Sequence, residues 1–125
     1  MDLNNELNYK IKMLDACIKE LAKTGREYAS AYTNYRIALA KELLKLKDEG
    51  YAITLAGDIA RGKPEIAKLK FEEISKEAVY KANIESINAI KLTIKVLQEQ
   101  ISKEWGGSDE WLSKVIRKIQ WTIKR

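Results

Sequence analysis

From Leu3 to Leu46 apolar side chains recur three and four residues apart: Leu7, Ile11, Leu14, Ile18 and Leu21, then Tyr28, Tyr32, Tyr35, Leu39, Leu43 and Leu46. That spacing keeps one stripe on one face of an α-helix and approximates the 3.5-residue repeat of a coiled coil. A strand would need alternation and would be far shorter. If unbroken, the helix covers roughly 65 to 70 Å at a rise of ~1.5 Å per residue. Gly25 is the one internal weak point, since glycine in a helix costs about 1 kcal/mol against alanine. Thr24 with Glu27 also has the form of a capping box, but a continuous, locally bent helix is the expectation.

A second run, from Pro64 to about Trp105, places Ala67, Phe71, Ile74 and Ala78 in one register. It then passes through Tyr80, Ile84 and Ile87 to Ile90, Ile94, Leu97 and Ile101. The shift near Lys81 reads as a stutter in the repeat. Acid-before-base pairs four apart support both runs: Glu6 with Lys10, Asp15 with Lys19, Glu72 with Lys76, and Glu77 with Lys81. Each such pair contributes about 0.2–0.5 kcal/mol to a helix.

Between the runs lies GYAITLAGDIARGKP, residues 50–64. Gly50 can adopt the left-handed conformation that stops a helix. Pro64, the only proline, fits a first helical turn, where its missing N–H is no loss, and Glu65 follows at the positive end of the helix dipole. Thr54 is expected to cap a short helical piece from about Leu55 to Arg61, which Gly57 and Gly62 would loosen or end.

Two runs of similar length joined by a short connection predict an antiparallel hairpin. In it Leu7 lies near Trp105 and Tyr28 near Ile84. Gly106 and Gly107 end the second helix, and Ser108, Asp109 and Glu110 start a third. Its face is Leu112, Val115, Ile116, Ile119 and Ile123, flanked by Trp111 and Trp121. The expected fold is therefore all-α: a long, coiled-coil-like antiparallel helical hairpin with a short C-terminal third helix. It forms one domain over residues 1–125, with helix 1 at about 3–48, a joint at 50–63, helix 2 at about 64–105 and helix 3 at about 109–123. Tyr9, Met13, Ile37 and Leu44 lie off the first seam, and Leu69, Val79, Leu92 and Val96 off the second. So much apolar surface predicts a homo-oligomer, most simply a two-fold dimer with a four-helix core.

Composition narrows the chemistry. With one cysteine and no histidine, a disulfide framework within the chain, a zinc site of Cys and His ligands and a His-based triad are all excluded. Cys17, beside Ile18, reads as a small buried hydrophobe rather than a reactive thiol. Glu72 and Glu73 are adjacent and diverge around a helix, so neither a metal site nor an acid/base pair is expected. No cofactor is expected either. No apolar run approaches the length of a membrane span, and MDLNNEL does not read as a signal peptide; the expected location is the cytoplasm of a bacterial cell. The net charge of +5 is uneven: residues 108–125 carry five basic and two acidic groups, while residues 64–107 carry seven of each. That is too dispersed to mark a nucleic-acid binder by charge alone.

Three candidate sites emerge. Gly57, Arg61, Gly62 and Lys63 precede a helix N-terminus, where free N–H groups and two cations can hold a phosphate or carboxylate. The alternative is an ordinary connection; there is no P-loop pattern. Tyr28, Tyr32 and Tyr35 with Arg26 and Arg36 combine aromatic faces and guanidinium groups able to stack a base and pair a phosphate. The alternative is tyrosines packed on a helical seam. Lys114, Arg117, Lys118, Lys124 and Arg125 beside Trp111 and Trp121 make an amphipathic basic helix. It suits a membrane surface, a nucleic acid or an acidic partner, or simply docks on the hairpin.

Residues 50 to 105 carry a series of landmarks: Ile53, Thr54 and Leu55; Arg61, Gly62 and Lys63; Leu69, Lys70 and Phe71; Tyr80; Ala89, Ile90, Lys91 and Leu92; and Gln100 to Trp105. Through them the chain resembles small helical proteins encoded by phages and prophages of Gram-positive bacteria. The resemblance implies a phage-type origin and brings no catalytic residue with it. The expectation is a non-enzymatic accessory protein that blocks or sequesters a host factor, a defence component or an anionic nucleotide ligand. An accessory binding single-stranded DNA or RNA, and a structural coiled-coil subunit, are the other readings.

Overall fold

The computed structural model describes residues 2–104 and 109–124. It contains four helices: α1 (Leu3–Asp48), α2 (Ile53–Gly62), α3 (Pro64–Glu104) and α4 (Asp109–Lys124). No strand is present among the described residues. Helix α1 packs antiparallel to α3, which makes the expected hairpin, and the short C-terminal helix is α4. The expected stop at Gly106 and Gly107, the cap at Ser108, the side chains of Asp109 to Leu112 and the pairing of Leu7 with Trp105 lie outside the described residues. The chain divides into two compact units, Met1–Ala22 with Ala82–Arg125, and Lys23–Lys81.

In the first unit Leu7, Ile11 and Leu14 of α1 interlock with Ile87, Ile90, Ile94, Leu97 and Ile101 of α3. Each fully buried Leu or Ile stabilises the fold by roughly 1.5–3 kcal/mol. Val115 and Ile119 of α4 pack on this cluster, so α4 covers the hairpin there. Thr122 completes the inward face of α4, its hydroxyl donating to the Lys118 carbonyl at 3.0 Å. Ile116 and Ile123, expected on that face, are exposed instead: the inward stripe runs through 115, 119 and 122, and 116 and 123 stand to its side. Cys17 packs half-buried against the cluster. Its carbonyl accepts a hydrogen bond from the Asn83 amide at 3.1 Å, which ties α1 to α3 in register.

The second unit is built on Tyr35, Leu39 and Leu46 of α1, Ala56 and Ala60 of α2, and Ile66 of α3. The two alanines let α2 approach closely. Helix α1 ends in a Schellman motif: the Tyr51 N–H donates to Leu46 and the Gly50 N–H to Lys47, at 3.2 and 3.0 Å. Gly50 has φ 96, the left-handed conformation expected of it. Thr54 is not the cap of α2. The boundary residue is Ala52 in an extended conformation, with no side-chain cap bond, and Thr54 lies inside the helix. Gly57 likewise neither loosens nor ends α2; it is buried mid-helix, and Gly62 is the last residue. Lys63 is extended, as a residue before proline must be, and Pro64 opens α3.

Helix α1 runs unbroken for 46 residues through Thr24 and Gly25, so the capping box is not used. Two expectations of register change. The ring of Tyr28 meets Tyr80, with centroids 6.0 Å apart, one turn from the expected Ile84. On α3, Phe71, Ile74, Ala67 and Ala78 are exposed, while Ile66 and Glu73 are buried and Tyr80 half-buried. Ile66, Glu73, Tyr80, Ile87, Ile94 and Ile101 fall at seven-residue intervals, with Leu69, Lys76, Asn83, Ile90 and Leu97 between them. The inward face therefore follows one unbroken heptad repeat, and the stutter near Lys81 vanishes.

Candidate functional site

The two cations of the joint turn to different partners. The side chain of Arg61 lies back across Gly57, where an added Cβ would stand 3.0 Å from Nη1. Glycine at 57 makes room for that guanidinium. Lys63 turns to α1 and forms an ion pair and hydrogen bond with Glu42. Each partner holds the other charged: Glu42 lies below the usual carboxylate value, and Lys63 above the usual ammonium value. Gly62 has open space around it.

The three tyrosines are divided between the seam and the surface. Tyr28 stacks on Tyr80 and donates its hydroxyl to Glu77, which with burial raises its pKa. Tyr35 is buried in the core of its unit, with the Lys70 ammonium 4.9 Å from its ring centroid. Only Tyr32 stands exposed. Arg26 is exposed beside an open, mixed groove of about 450 Å³ lined also by Lys23, Glu27, Ser30, Asn34, Leu69, Glu72 and Lys76. There Lys76 reaches Glu27 at 3.6 Å, leaving Lys23 and Arg26 as the cations of that edge. Arg36 stands exposed on α1, one turn before Ala40. On α4, Trp121 and Lys118 line a smaller recess of about 200 Å³ with Ile11, Lys12, Asp15 and Thr122.

A feature absent from the sequence reading lies between the last turns of α1 and the start of α2. Ala40, Leu43, Leu44 and Lys47 from α1, with Ile53 and Ala56 from α2, line an apolar groove of about 420 Å³. Positions 40, 43, 44 and 47 are i, i+3, i+4 and i+7, a stripe of α1 that shares Leu43 with the seam and turns away from it through Ala40, Leu44 and Lys47. The signal was available in Leu44, which falls off the seam, and in Ile53, an apolar residue opening the joint.

Among the described residues no cluster of carboxylates and thiol could hold a metal. None of the described helices is long and apolar enough to cross a membrane. No family model, curated protein or solved structure matches this chain.

Proposed function

We propose that this chain is a non-enzymatic, phage-type accessory protein that works in the bacterial cytoplasm by binding, and so blocking or sequestering, a host protein. The observation that carries the reading is apolar surface held open by well-formed helices. Ile53 is 75% exposed, Phe71 69%, Leu92 65% and Leu44 63%. Scattered apolar residues such as Phe71 and Leu92 are ordinary, but Leu44 and Ile53 line one groove, and contiguous apolar surface of that kind marks a place where another molecule sits. Tyr28 and Tyr35 are engaged in the seam, which weighs against their stacking nucleic-acid bases. The second reading, binding of a single strand or an anionic nucleotide, retains only Lys23 and Arg26, in a groove that Glu27 and Glu72 also line.

The test is affinity purification of the tagged chain from cells of a Gram-positive host, followed by mass spectrometry and nucleotide analysis of the eluate. A host protein in near-stoichiometric amount, retained through a high-salt wash, is expected. Recovery of nucleic acid alone, released as salt rises, would replace this reading with the second.

A further inference from the structure

The groove between α1 and α2 says more about what it accepts than the rest of the surface does. Its lining is carbon except for Lys47, whose long stem is itself apolar. Apart from the Lys47 ammonium at one end, such a trough offers no hydrogen-bond partner to orient a polar small molecule. It is also open along one side, so an apolar small molecule would stay largely in water. The α1 wall is about two turns long, from Ala40 to Lys47. That length matches the ridge an amphipathic helix presents with apolar residues at i, i+3, i+4 and i+7.

Charge then selects among helices. Arg36, one turn before Ala40, and Lys47, one turn after Leu43, put a cation towards each end of the wall, about 16 Å apart at the helical rise. Neither has an ion pair among the described residues. No carboxylate lines the groove, and Glu42, the acid nearest in sequence to its centre, is turned to the seam and held by Lys63.

We infer that this groove is a docking site for an amphipathic helical segment of a partner protein, its apolar ridge on Leu43, Leu44 and Ile53 and its acidic flanks against Arg36 and Lys47. The inference rests on the reading of the chain as a protein-binding accessory and names the surface and chemistry it uses.

Two fluorescein-labelled helical peptides test it on the full chain. Both carry leucine at i, i+3, i+4 and i+7; one has glutamate flanks, the other lysine flanks. Anisotropy titrations should show the glutamate peptide binding at least about tenfold tighter, an advantage that shrinks with salt. Leu44→Asp should abolish binding while leaving the melting curve in place, since Leu44 is exposed. The double variant Arg36→Glu, Lys47→Glu should reverse the preference between the peptides. Equal binding of both, or binding of neither, would overturn the assignment. So would a dimer in sedimentation velocity that Leu44→Asp converts to monomer, because the occupant would then be a second copy. A host protein still captured by Leu44→Asp would remove the groove and spare the protein-binding function. Specific peptide binding without any captured protein would keep the groove and remove the host-factor reading.

Discussion

A Cβ at Gly25 would stand 3.2 Å from Cε1 of Tyr80, closer than side-chain carbons normally approach. The Tyr80 ring is itself backed by Tyr28, and Tyr28 is held through its hydroxyl by Glu77. Glycine at 25 is thus the small partner of a large residue across the helix pair, placed where the helix would otherwise favour alanine. The two effects oppose each other. Gly25→Ala gains about 1 kcal/mol of helix propensity, and the displaced ring offsets most of it, so the net change in urea denaturation should stay within about 0.5 kcal/mol. In a Tyr80→Ala background the same substitution should release the full gain of about 1 kcal/mol, a coupling that a double-mutant cycle detects. Equal gains in both backgrounds would mean the ring does not constrain the backbone.

On the scale of the element, α3 shows what hydrophobicity alone can and cannot locate. Length and three-four spacing made the helix certain, and Gly50 and Pro64 marked its neighbourhood, because these cues depend on backbone sterics and not on partners. The face was another matter. Glu73, Lys76 and Asn83 occupy inward heptad positions, while Phe71 and Ile74 point out, so a search for apolar periodicity follows the wrong stripe until Tyr80. Glu73 accepts from Lys70 at 3.0 Å, an i,i+3 pair that the helix alone brings together, but its burial is invisible without the fold. Thr54 misled for a similar reason: extended backbone at Ala52 starts α2 without a side-chain cap. The docking groove was only half legible, since Leu44 was visible as an off-seam residue but its apposition to Ile53 requires α2 in place. The corrected face is testable by substitution. Phe71→Ser should change stability by no more than about 0.5 kcal/mol, whereas Ile94→Ala, at a position 1% exposed, should cost about 2–5 kcal/mol. A large loss at Phe71 would restore the stripe read from the sequence.

Across the whole molecule, stability should vary little near neutral pH, since there is no histidine to titrate. The limits are set by carboxylate–lysine pairs that hold both partners charged. Glu42 lies below its ordinary value of 4.5 because Lys63 donates to it, and Glu77 does so because of Lys81, 2.6 Å away, and then Tyr28. Their contributions are therefore complete above 4.5 and disappear as pH falls through the lower folded values. Lys63, Lys81 and Lys70 are raised above 10.5 by Glu42, Glu77 and Glu73. What they contribute is complete below 10.5 and is lost as pH rises through their folded values. Tyr28, raised above 10.0 chiefly by its bond to Glu77, adds to the alkaline limb when it ionises. Thermal melts should thus show a plateau between about pH 5 and 10, with a fall on each side. Glu42→Gln removes one charge of the pair that fastens α1 to the segment between α2 and α3. Its melting temperature should lie below that of the unaltered chain on the plateau, and the gap should close at pH 2–3, where both carry a neutral side chain at 42. A gap that persists undiminished into acid would show that Glu42 acts through packing and not through its charge.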